Sequence, residues 1–252
     1  MSLQQIYRTL LIAIFSAAGI TFAVLMFVRA PYGRYSRRGW GAAVSAKLAW
    51  IVMELPAVFV ILSLYLTGPN RSVPLTVFVL LWQMHYLYRT FVYPLLMRGG
   101  SKGFPVVLIL VAMAFNTANG VVNGYHLFFG ERAYTVKWLL DPRFLLGVCF
   151  FLWGMYVHIR CDHILKNLRQ PGETGYKIPH GSMYRYISAP NYFGEIVQWC
   201  GWAIATWSLA GLSFAVFTAA NLLPRALSHH AWYANTFPDY PESRKAVVPF
   251  IL

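Results

Sequence analysis

Apolar runs long enough to cross a hydrocarbon core of about 30 Å recur along this chain. They lie near 7–28, 47–67, 74–97, 104–130 and 144–165, with two tighter ones near 192–207 and 209–227. Lipid offers the backbone no hydrogen bonds, so such runs fold as helices unless they close a barrel, and the strand alternation of a barrel is absent from the sequence. The fold expected is an all-α integral membrane protein, a bundle of about seven transmembrane helices. With 58% apolar residues, 12% charged residues and a mean hydropathy of +0.51, a soluble domain is excluded.

The net charge of +13 does not indicate nucleic acid, because the basic residues sit at helix ends rather than on a polar domain. Most of the 21 Lys and Arg fall on one side if the N-terminus is non-cytoplasmic: the segments around Arg34, Lys47, Arg98, Lys102, Arg160, Lys166, Arg169, Lys177, Arg225 and Arg244 are then cytoplasmic. The first apolar run is longer than a signal-peptide core and lacks a strongly basic lead, so it reads as a true span. Three cysteines, Cys149, Cys161 and Cys200, have no metal-type spacing and suggest neither disulfides nor zinc. No repeat or linker divides the chain, so residues 1–252 read as one domain. Its long polar connection, 166–191, and its tail from Arg225 onward, "RALSHHAWYANTFPDYPESRKAVVPFIL", are rich in aromatic and basic groups. They read as a functional cytoplasmic loop and a docked C-terminal tail.

Ionisable and amide residues inside spans are expensive and mark functional paths. Glu54 stands in "WIVMELPAVFV", two residues before the helix-bending Pro56. In "WQMHYLYRTFVYPLL" the residues Tyr86, Arg89 and Tyr93 share one helical face, with His85 and Tyr88 beside it. An aromatic belt with a snorkelling arginine would account equally well for Tyr88 and Tyr93. Asn116, Asn119 and Asn123 share a face of the next span, as interhelical glue or as a cavity wall, while Gly120 and Gly124 allow close helix approach. His158 and Asp162 are one turn apart, followed on that face by Lys166 and Arg169, a combination that suits a phosphate-bearing ligand with ribose hydroxyls or a solvated charge ladder. Asn191 and Glu195 repeat the one-turn spacing at the start of the following span. There is no GxGxxG, P-loop, HExxH or GxSxG motif, so a nucleotide would not be held by a Rossmann domain.

Taken together, "MELP", "HYLYRTFVYPLLMRG", "NGVVNGY", "DHILKNLRQPGETGYKIPHGSMYRYISAPNYFGEIVQWCGWAIATWS" and "FPDYPESRKAVVPFIL" resemble the steroid 5α-reductase family. The likeness is strongest from about residue 82 onward, and its most specific part is the long loop with the span that follows. The resemblance implies a seven-helix enzyme that uses NADPH to reduce the double bond of an α,β-unsaturated steroid ketone. It implies that Glu54 and Tyr86 address the ketone, with Asn119 and Val111 on the substrate side. It further implies that Arg89, Arg98, His158, Asp162, Leu165, Arg169, Tyr176, Asn191, Glu195, His229, Tyr233 and Arg244 hold the cofactor. Four positions depart from the animal enzymes: Gly100 and Val111 replace arginines, His158 an asparagine and Asn123 a glutamine. Lys102 can restore a charge near Gly100.

The implied chemistry suits the residues. Hydride addition to an enone builds negative charge on the ketone oxygen, and a phenol beside a carboxyl group in a dry pocket can meet it. Two alternatives stay open: a related membrane reductase acting on a sterol ring or an enoyl thioester, and a transporter whose intramembrane polar groups line a path. A basic loop and a tail on one side favour the enzyme. The partners expected are a steroid and the lipid bilayer, with no nucleic acid and no obligate protein partner.

Overall fold

The computed structural model describes residues 2–97, 103–170, 173 and 175–252. Helix α1 (Leu3–Phe27) starts on a capping box in which Ser2 Oγ accepts from the Gln5 amide and the Gln5 side chain accepts from the Ser2 amide. Helices α2 (Ala46–Thr67) and α3 (Val73–Leu87) start on Ser45 and Ser72, whose hydroxyls accept from Leu48 and Leu75. The third apolar run does not stop at Leu87. Its ladder widens into a π-turn, Tyr88–Val92, and resumes as α4 (Tyr93–Leu96). Pro94 has no N–H to return to the Thr90 carbonyl, which gives the widening a local cause. Short strands β1 (Ala43–Ser45) and β2 (Gly103–Pro105) pair antiparallel and lead into α2 and α5 (Val106–Phe128).

After α5 come a 3₁₀ turn, Val136–Leu140, and α6 (Pro142–Asn167), capped by Asp141. The long loop holds a second 3₁₀ turn, Ser182–Arg185, before α7 (Pro190–Thr206) and α8 (Leu209–Thr236). The last two helices form a hairpin through Trp207, which adopts left-handed φ at +46°, and Ser208, which caps α8.

Among the described residues, five helices, α1, α2, α5, α6 and α8, are long and apolar enough to cross a membrane. At 15 and 17 residues, α3 and α7 fall short of that length taken alone. The fold is the all-α membrane bundle that the apolar runs require. One boundary is corrected. The stretch from Arg225 to Thr236, expected to belong to a docked tail, is the end of α8, which runs unbroken past Pro224. At 28 residues and 1.5 Å per residue it spans roughly 42 Å, longer than a hydrocarbon core, so its polar end can remain helical outside lipid. Only the residues after Thr236 form the irregular tail, which is tied back by a parallel bridge between Ile187 and Lys245.

Two kinds of contact hold the bundle. An aromatic core of Phe78, Trp82, Phe151, Trp199, Trp202 and Phe214 fills its middle. Each of two buried indoles has an acceptor: Trp82 donates to the Ala57 carbonyl at 2.9 Å and Trp202 to Asn123 Oδ1 at 2.8 Å. Elsewhere glycines permit close approach. Gly120 and Gly124 of α5 lie under the side chains of Val60 and Leu64 on α2. On α6 and α7 the approach is backbone to backbone, for Gly147 faces Gly201 and Ala205, and Gly154 faces Gly194 and Gln198.

Candidate active site

The α6–α7 seam sets the first half of the site. Because Gly194 rests on the backbone of His158, the first turns of α7 are pressed against the C-terminal half of α6. His158 Nδ1 lies 3.1 Å from the Asn191 carbonyl and 3.6 Å from Glu195 Oε2, while its Nε2 lies 3.5 Å from Asp162 Oδ2. Asn191 Nδ2 donates to Asp162 Oδ1 at 2.9 Å. The one-turn spacings seen in the sequence thus interlock across two helices. Leu165 packs one turn further along, among Val157, Cys161 and Tyr184.

The π-turn carries Arg89 into the same interior. Its side chain is buried, 3.9 Å from Asp162 Oδ2, with the guanidinium over the rings of Trp50 at 4.4 Å and Tyr93 at 4.9 Å. Arg89 also stands within electrostatic reach of Glu54 and Glu195, so three carboxylates from three helices converge on one guanidinium.

Helices α2, α3 and α5 supply the other wall. Glu54 is buried, and Asn116 donates to its Oε2 at 3.0 Å and to the Met53 carbonyl at 2.7 Å, close to where Pro56 interrupts the α2 ladder. Tyr86 is buried beside Asn119, within electrostatic reach of Glu54, Glu195 and Arg89, and against the Trp82 and Trp199 rings. Asn119 Oδ1 accepts from Asn123. Val111 is placed differently. It is 62% exposed on the outward face of α5, and the structure does not bring it to the Glu54–Tyr86 cluster.

A third group gathers at the C-terminal end of α8. His229 Nδ1 is 3.3 Å from Tyr35 Oη and Nε2 is 3.2 Å from Tyr192 Oη. Tyr35 gives its own hydrogen to the Ser228 carbonyl and Tyr192 accepts from Arg225, so His229 donates through Nδ1 to Tyr35 and accepts through Nε2 from Tyr192. Tyr233 accepts from Arg34 Nη2 at 3.2 Å, and the same guanidinium lies over the rings of Tyr176, Trp232 and Tyr233. Arg169 lies over Tyr176 at 5.5 Å. Arg244 is buried, donating to the Pro179 carbonyl at 3.0 Å. Arg98 and Gly100 lie outside the described residues. Tyr35 and Tyr192 were not singled out by sequence reasoning, and Arg34 and Arg225 entered it only as topology-setting charges, although "YGRY", which mixes arginine with tyrosines straight after the first span, carried the signal.

A family profile described as 3-oxo-5-alpha-steroid 4-dehydrogenase matches residues 102–252. The chain is 45% identical over 238 residues to rat 3-oxo-5-alpha-steroid 4-dehydrogenase 1, covering 93% of this chain and 91% of the relative. The chain belongs to the 3-oxo-5-alpha-steroid 4-dehydrogenase family. It is also 39% identical over 254 residues to the steroid 5-alpha-reductase DET2 of Gossypium hirsutum, covering 98% of each. The 3-oxo-5-alpha-steroid 4-dehydrogenase 2 of Sus scrofa shares 45% over 225 residues, 87% of each. Steroid dehydrogenases of this family use NADPH, and the interior suits such a ligand. Among the described residues, Gln198 Nε2 and Arg244 Nε are buried without a hydrogen-bond partner, and Asp162 Oδ2 and His158 Nε2 have only the 3.5 Å contact with each other and the distant Arg89 guanidinium. Orphaned donors and acceptors at this density are costly in a finished core and are what a polar ligand would satisfy.

Proposed function

We propose that this chain is an NADPH-dependent reductase of the 4,5 double bond of 3-oxo-Δ4-steroids, acting as one domain over residues 1–252. The observation that carries the reading is family membership across nearly the whole chain, and the burial of Glu54, Tyr86 and Arg89 within electrostatic reach of one another supports it. NADPH, when bound, supplies the hydride for the β-carbon of the enone. As that bond forms, charge develops on the ketone oxygen, and the Tyr86 phenol donates a hydrogen bond to it. Glu54, fixed by Asn116, positions that phenol, which keeps its hydrogen, and a proton drawn from solvent completes the α-carbon. Aromatic walls of Trp82 and Trp199 keep the donor dry. Arg89, Asp162, Asn191, Glu195 and His158 would hold one end of the cofactor, and Arg169, Tyr176, His229, Tyr233 and Arg244 the other, with Leu165 packed beside them and Arg98 adding a charge.

The basic segments support an N-terminus outside the cytoplasm and a C-terminus within it. Counting the α3–α4 rod and α7 with the five long helices gives the seven spans of this reading.

The test is purified protein with NADPH and a Δ4-3-oxo steroid, with the product identified by mass and by stereochemistry at the ring junction. NADPH should be consumed with the enone and not with the saturated ketone. Equal consumption with both would falsify the assignment, and a product reduced only in a sterol ring or an enoyl thioester would move the chain to a neighbouring activity.

A further inference from the structure

Ser188, at the end of the long loop, is buried and has three partners. Its Oγ lies 2.7 Å from His230 Nδ1, 2.6 Å from Tyr240 Oη and 3.1 Å from the Lys245 carbonyl. A serine hydroxyl has one hydrogen and two lone pairs. The Lys245 carbonyl already accepts from the Ser188 amide at 2.8 Å, so the serine hydrogen has two possible takers, that carbonyl and His230 Nδ1. Sent to the carbonyl, it leaves Tyr240 to donate through its phenol and His230 through a protonated Nδ1, which satisfies all three contacts at once and saturates the hydroxyl.

The partners come from three separate segments: the loop before α7, the end of α8 and the tail. Each abuts a residue of the cofactor site proposed above. Ser188 precedes Asn191 by less than one helical turn, and His230 follows His229. The Tyr240 ring stacks on Tyr233 at 5.4 Å and lies under the Arg244 guanidinium at 5.2 Å. Backbone bonds share the junction. Ser188 donates to the Lys245 carbonyl at 2.8 Å, Ala189 to the Ala246 carbonyl at 3.0 Å, and Lys245 to the Tyr186 carbonyl at 2.9 Å.

We infer that Ser188, His230 and Tyr240 form a hydrogen-bonded latch that fixes the register of the C-terminal tail, and thereby positions Tyr233 and Arg244 for the cofactor. The inference rests on the reductase reading for its link to NADPH. The three are positioning residues, because they act through Tyr233 and Arg244. Since either a neutral Nδ1–H imidazole or an imidazolium can donate to Ser188, the latch needs the donor and not the charge.

Two measurements test it on the full chain in detergent. Hydrogen exchange without cofactor should show amides of 186–189 and 245–247 exchanging about 10-fold faster in Ser188→Ala and His230→Ala, as loss of a buried hydrogen bond raises local opening. In steady state the same variants should raise the NADPH KM about 10-fold, with kcat at saturating NADPH and the steroid KM unchanged. An asparagine amide reproduces the Nδ1 donor, so His230→Asn should stay close to wild type where His230→Ala does not. Tyr240→Phe keeps the stack and loses the donor, giving the milder version of the same change. Unchanged exchange in Ser188→Ala overturns the latch. So do faster exchange with an unaltered NADPH KM, and asparagine and alanine variants that behave alike. Wild-type protein that binds no NADPH sinks the reductase reading and with it the positioning role, an outcome distinct from variants that bind as well as wild type.

Discussion

Two helix pairs frame the proposed site, and both rely on glycine, but they use it differently. Between α2 and α5 the glycines face side chains, with a β-carbon on Gly120 meeting Val60 Cγ1 at 3.0 Å. Between α6 and α7 the glycines face main chain, and a β-carbon on Gly154 would lie 2.5 Å from both Gln198 N and the Gly194 carbonyl oxygen. A side chain can rotate away; a peptide cannot without moving its helix. The α2–α5 wall, which holds Glu54, Asn116 and Asn119 and has Pro56 inside α2, is therefore the compliant one. The α6–α7 wall, which holds His158, Asp162, Asn191 and Glu195, is rigid. This division suits a site that takes a large apolar substrate on one side and a charged ligand with fixed hydrogen-bond geometry on the other.

The sharpest way to break the comparison is to add one methyl group to each wall. Gly154→Ala should cost about 3 kcal/mol or more and lower the thermal midpoint in detergent by many degrees, because the overlap is with backbone. Comparable midpoints for Gly154→Ala and Gly120→Ala would abolish the distinction. Next in size is chemistry on the compliant wall: Tyr86→Phe should lower kcat by about 10²-fold, some 2.7 kcal/mol, and leave NADPH affinity in place. Full turnover in a folded Tyr86→Phe protein would return that phenol to a packing role. The matching change at the end of the rigid wall, Arg169→Ala, should raise the NADPH KM by about 10-fold with kcat at saturation little altered, as expected for a lost charge-assisted phosphate contact. Unchanged cofactor affinity would make this face a solvated charge ladder.

Smaller effects sharpen the same contrast. Gly120→Ala should fall within about 1 kcal/mol of wild type, since the gain in helix propensity offsets the contact with Val60. Smallest is the N-terminal end of α6, where Asp141 caps the helix and pairs with Arg143 at 2.8 Å. The Arg143 guanidinium holds the Asp141 carboxyl down from its usual 3.8 to about 2. A lowered folded-state value stabilises above the unfolded value, so any advantage over Asp141→Asn should be present above about pH 4 and vanish as pH falls through about 2. A difference that grows on acidification would contradict the sign.

Much of this was legible in one dimension. Run length and hydropathy alone impose the helical bundle, and helical spacing alone puts Asn116 with Asn119 and His158 with Asp162 on shared faces, because both effects are local. The bilayer also makes Glu54 and Arg89 conspicuous, since charge in an apolar run has few innocent explanations. The π-turn was less visible: Pro94 announces a break in the ladder without saying whether the chain will kink, stop or bulge. Nor could the α8 boundary be read, because polar residues leaving the membrane look alike whether they stay helical or unwind.

The sequence by itself determined that this chain spans lipid as helices, which buried positions carry charge, and, through its motifs, which family it belongs to. Which of those groups meet was decided only in three dimensions. Glu54 finds Asn116 at 3.0 Å, Asp162 finds Asn191 at 2.9 Å and Ser188 finds both His230 and Tyr240, pairs separated by tens of residues. Periodicity specifies a face on each helix but not the rotation or depth at which two faces dock. That relation is set by glycine seams and aromatic packing summed over the whole bundle, and no local stretch of sequence contains it.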